Sequence, residues 1–91
     1  MARRIDEPVR VALRQGGQEP VAFTWGNRRY AVEHVEARWK EVGPWWDGEG
    51  ERTFFRVTAR HHVPGLRPEA GVYELRFDHP SECWWLQEVV D

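Results

Sequence analysis

Residues 8–14 alternate strictly, with Val9, Val11 and Leu13 on one side and Arg10, Ala12 and Arg14 on the other. That is the period of a half-buried β-strand, and it returns along the chain between turn signals. Val21, Phe23 and Trp25 carry it after Gln15-Gly16-Gly17-Gln18, so the first two segments read as a hairpin. Phe55, Val57 and Ala59 alternate against Phe54, Arg56 and Thr58. Tyr73, Leu75 and Phe77 alternate against Glu74 and Arg76, and a last strand covers 82–90. Gly26-Asn27, residues 47–51 and Asp78-His79-Pro80-Ser81 supply turns, and residues 61–70, with Pro64 and Pro68, form the longest loop.

The segment 30–42 carries two periods at once. Tyr30 and Val32 continue a strand, whereas Val32, Val35, Trp39 and Val42 are spaced by three, four and three, as on a helix face. A long bent strand with a bulge near His34 and a short helix around 32–42 are therefore both open, the strand being preferred for its valines and its sheet context. The whole is an all-β fold of about six antiparallel strands in a meander, curled into a partly open barrel or roll. Residues 1–7 form a poorly ordered N-terminus and residues 8–91 a single β domain, since 91 residues hold one core.

Trp45-Trp46 and Trp84-Trp85 are adjacent pairs in or beside strands, where neighbouring side chains point to opposite faces. One ring of each pair serves the core, and the other lies over a second covered face or on a surface open to a partner. Arginine next to aromatic rings, at Trp25, Arg28, Arg29 and Tyr30 and at Phe54 and Arg56, is chemistry that a peptide groove or single-stranded nucleic acid can use. Trp45, Trp46, Arg56 and Trp84, with Arg28 and Arg29, are the candidate binding residues, an aromatic platform edged by a cation. The other reading of each pair is strand packing, with arginine stems covering rings.

Little points to chemistry. His61 and His62 are adjacent and diverge on a strand end, and His34 and His79 stand apart, so the histidines read as solvated loop residues with no metal site. Cys83 is a lone cysteine without a positioned base, and no glycine-rich phosphate cradle appears, so neither an enzyme nor a bound cofactor is expected. A net charge of −2 gives no bulk attraction to nucleic acid, and no apolar run reaches bilayer length. With one cysteine and no apolar leader, a cytoplasmic location without a membrane partner is expected.

In Arg38-Trp39, Gly43-Pro44-Trp45-Trp46-Asp47, Arg52-Thr53-Phe54-Phe55-Arg56-Val57, Tyr73-Glu74-Leu75 and Trp84-Trp85-Leu86, the chain resembles an uncharacterised family of small bacterial domains. More distantly it resembles the C-terminal region of ImuB-type proteins, inactive relatives of Y-family polymerases. The resemblance runs from Trp39 to the end and departs at the 61–70 loop, where it implies a shorter turn. It implies a non-catalytic module of translesion DNA synthesis and DNA damage tolerance, and it assigns no site residue. The expected function is thus a protein- or nucleic-acid-interaction module, or alternatively a self-associating domain that forms a homodimer.

Overall fold

The structure is a computed structural model and describes residues 2–43, 50–61, 65 and 69–90. Six strands follow one another: β1 (Arg3–Leu13), β2 (Pro20–Trp25), β3 (Arg28–Val42), β4 (Glu51–His61), β5 (Glu69–Asp78) and β6 (Cys83–Val89). Each pairs antiparallel with the next, and β6 returns to pair with β1, so the sheet closes into a barrel. Closure satisfies the edges that a flat meander would leave open. No helix forms among the described residues.

The inner face is the apolar set of each alternation. Phe23, Tyr30, Phe55, Val57, Ala59, Leu75 and Leu86 form one buried cluster, with Val9, Val11, Val35 and Trp84 packed against it. Each large side chain so buried contributes about 1.5–3 kcal/mol. Phe23 and Tyr30 stack with centroids 4.8 Å apart, and Tyr73 meets both edge-on at 5.5 and 5.2 Å. Two small residues, Ala59 and Gly71, stand opposite each other across the β4–β5 ladder.

The tight β2–β3 turn follows from Gly26, whose φ of +63° is open to glycine and costly for most residues. Another glycine matters by proximity. A Cβ on Gly50 would lie 2.6 Å from Cγ of Pro80, so the start of β4 and the β5–β6 turn touch only because Gly50 has no side chain. The His79 N–H also donates to the Glu51 carbonyl at 3.0 Å, fixing that turn against β4.

One expectation needs correction. Residues 3–7, expected to be poorly ordered, belong to β1, where Arg3, Arg4 and Glu7 pair with Val89, Glu88 and Leu86. Their pattern was hidden because the register shifts between Arg4 and Glu7, at Asp6 with φ +54°, which interrupts the alternation. The preferred reading of the 30–42 segment holds: β3 is one strand with register shifts between Val32 and His34, close to the expected bulge, and between Val35 and Ala37, and no helix forms there. Each shift adds one residue, so Val32 and Val35 oppose Ala59 and Val57 on the inner face although three apart. Trp39 and Val42, the other two members of the apparent helical stripe, do not join them. Trp39 stacks outside on Phe54 at 5.4 Å, and Val42 is 72% exposed.

The β2–β3 ladder ends at Ala22 and Ala31, whereas the β3–β4 ladder continues to Val42 and Glu51. Along residues 32–42, β3 therefore has a neighbour on one side only among the described residues.

Candidate functional site

The inner-face period runs past the core at one end of the barrel. On β4 it places Thr53 beyond Phe55, and on β5 it leads from Leu75 through Phe77 to His79 in the following turn. Thr53 is buried, and its Oγ1 shares a hydrogen bond of 2.8 Å with Nε2 of His79. His79 also stands edge-on to Phe77 at 4.8 Å, and its Nε2 is 3.8 Å from Oε1 of Glu51. Phe77 and Phe55 meet Trp84 at 5.0 and 5.6 Å with tilted planes. Thr53, Phe55, Phe77, His79 and Trp84, together with Leu13, Gln18 and Glu82, line an open pocket of about 270 Å³, with an aromatic floor and a polar rim. Such a hollow is slightly smaller than the usual range for ligand sites, about 300–1,000 Å³.

The outer wall at the same end carries a second arrangement. Register aligns Trp39, Phe54, Arg76, Trp85 and Pro8 across β3, β4, β5, β6 and β1. Phe54 is only 4% exposed although it faces outward, and Arg76 lies over the Trp85 ring at 5.3 Å. Nε of Arg76 is 3.1 Å from Oδ1 of Asp78 without the alignment of a hydrogen bond, so this attraction is coulombic. The Trp85 indole N–H is buried and has no acceptor among the described residues. One row further on, Arg56 donates to Oε2 of the buried Glu74 from Nε at 3.0 Å and from a terminal nitrogen at 2.6 Å.

The sequence candidates do not assemble into one platform. Trp84 faces the barrel mouth and Arg56 faces outward, because one lies on the Phe77 row of the inner face and the other is bound to Glu74 outside. Arg28 and Arg29 sit beside the β2–β3 turn, next to the Tyr30–His61 row at the far end of β4. Trp45 and Trp46 lie outside the described residues. Trp84 and Trp85 do place one indole on each side of the sheet.

The solvated reading fails for two histidines. His79 lines the pocket, and His61 packs on Tyr30 at 5.0 Å. Both follow the inner-face period of their strands, Phe55-Val57-Ala59-His61 and Tyr73-Leu75-Phe77-His79, and that signal could have found them. Arg38 opposes Phe55 in the ladder and lies over its ring at 5.7 Å while staying exposed. Glu33 pairs with Arg60 and Glu36 accepts from Thr58 at 3.0 Å, across the strand boundary. Cys83 is exposed at the start of β6.

No curated protein and no solved structure matches the chain. A family model does match, over residues 1–91, and the chain belongs to that family, described as a domain of unknown function (DUF6504).

Proposed function

We propose that this domain is a non-catalytic interaction module that takes an extended protein segment as an added strand along β3. The observation that carries the reading is the length of β3 without a second neighbour. After the bulges, residues 37–42 run in regular register with β4 and have no partner on their other side among the described residues. An edge of this kind presents backbone donors and acceptors that another strand completes, and the stacked Trp39–Phe54 pair beside it offers apolar contact to alternate side chains. The resemblance to the C-terminal region of ImuB-type proteins supports a partner from translesion DNA synthesis. The lone thiol of Cys83 supports a cytoplasmic setting.

Peptides selected from a displayed random library test the reading. Consecutive N–H groups of a strand point to opposite sides, so one of Lys40→Pro and Glu41→Pro removes a free edge donor while sparing the β4 ladder. Selected peptides should shift the amide resonances of residues 37–42 and lose binding to that one variant. Binding that is indifferent to both prolines would remove the proposal.

The same edge supports self-association, in which two β3 edges pair about a two-fold axis. Sedimentation over a concentration series distinguishes it, with a mass double the 10.8 kDa of the chain as its signature. A nucleic-acid reading draws on Arg10 and Arg29, which flank Thr24 on neighbouring strands and form no ion pair among the described residues. Binding of single-stranded DNA that weakens steeply with salt would favour it.

A further inference from the structure

We propose that the mouth of the barrel is a binding site for a small organic ammonium cation whose nitrogen carries alkyl groups, seated on Phe77 and Trp84 with Glu82 as its counter-charge. The inference is independent of the β3 edge. Phe55, Phe77 and Trp84 form the floor with planes tilted by 37° and 44°, so ring surface is presented from more than one direction. Electron-rich ring faces attract cations, most strongly where water is excluded. The protein's own Arg38 already uses the Phe55 ring in this way.

Charge selects the sign of the ligand. Among the described residues, His79 and Glu82 are the ionisable ones that line the pocket, and neither arginine nor lysine does. The neighbouring charges are engaged elsewhere: Lys40 holds Glu51 at 3.2 Å, and Asp78 stands between Arg52 and Arg76 at 3.4 and 3.1 Å. Glu82 forms no ion pair among the described residues. Arg38, over the buried Phe55 ring, is the cation nearest the floor, and beyond it an anion would meet the Glu82 carboxylate, whereas an alkylammonium on Phe77 and Trp84 would meet two ring faces and one counter-ion. The floor offers no hydrogen-bond acceptor, which disfavours a primary ammonium with three N–H groups and suits a head group that has none. Gln18 and the Thr53–His79 couple stand at the side, where a hydroxyl on the ligand can be bonded.

Choline and a trimethyllysine peptide carry the same head group from two sources, a free metabolite and a partner's side chain. Titrated against the protein, each is followed by the assigned indole N–H of Trp84 and the ring resonances of His79. Binding of either, with shifts centred on these residues, supports the site, and the tighter of the two identifies the source. The uncharged isostere 3,3-dimethylbutan-1-ol is expected to bind at least about tenfold more weakly than choline. Glu82→Gln changes an exposed turn residue and should fold normally, with choline binding about threefold to tenfold weaker. Equal binding of choline and its isostere, shifts centred elsewhere, no binding of either cation, or a Glu82→Gln protein that binds like the parent would each overturn the proposal.

Discussion

Trp84 and Trp85 are consecutive in β6 yet belong to different layers, Trp84 meeting Phe77 inside the mouth at 5.0 Å and Trp85 lying outside beneath Arg76 at 5.3 Å. Their losses should therefore differ in kind. Trp84→Ala removes part of the interior and is expected to cost about 3 kcal/mol, while Trp85→Ala forfeits a partly desolvated cation–ring contact and some packing, about 1–2 kcal/mol. Urea denaturation of the two variants measures both, and an equal loss would contradict the assignment of faces.

Arg56 and Glu74 should behave as a unit. Arg56→Ala leaves the buried Glu74 carboxylate without its strongest donor, and because Arg56 is itself partly exposed the expected loss is about 2 kcal/mol. Replacing both, as Arg56→Met with Glu74→Leu, should restore most of it. A double variant as unstable as the single one would show that the pair contributes more than relief of a stranded charge.

Burial raises the Tyr73 phenol above its ordinary 10.0, Tyr30 adds to the effect and Arg28 opposes it. The folded state then holds the proton more tightly than the unfolded chain. The associated stability is fully present below pH 10 and is lost as pH rises through the folded value. Unfolding free energies measured from pH 8 to pH 11.5 should fall more steeply for the parent than for Tyr73→Phe. Parallel curves would refute the linkage.

Gly50→Ala drives a methyl group into Pro80, and the strain is expected to cost about 1–3 kcal/mol while displacing the turn that carries His79. Adding Pro80→Ala should recover stability and return the His79 ring resonances to their parental positions. If the second substitution rescues nothing, the loss comes from the backbone of Gly50 and not from this contact.

The strands were legible because a period of two survives wherever one face is buried, and Val9 to Leu13, Phe55 to Ala59 and Tyr73 to Phe77 declare it openly. β3 was ambiguous for a definite reason: a bulged strand and a helix both place apolar residues three apart, and Val32 with Val35 satisfies either. The site was less legible. Thr53 and His79 are polar extensions of apolar series and look like ordinary strand ends until the ladder brings β4 and β5 side by side. The partners of the arginines could not be read along the chain either, since Arg56 finds Glu74 and Arg60 finds Glu33 on adjacent strands. The grouping of Arg56 with Trp84 failed because the sheet wall stands between them.

The two bulges of β3 act on the strand as slack acts in a chain, each taking up one residue. Between them Val35 opposes Val57; beyond them Arg38 opposes Phe55 on the inner face and Trp39 opposes Phe54 outside. Losing the extra residue at either bulge would restore one-to-one opposition there and leave Arg38 facing inward and Trp39 outward, whereas losing one residue from the regular run 37–42 would invert the facing of whatever lies beyond it. Within β3, then, single-residue deletions should be tolerated at the two bulges and rejected in the regular stretch beyond them.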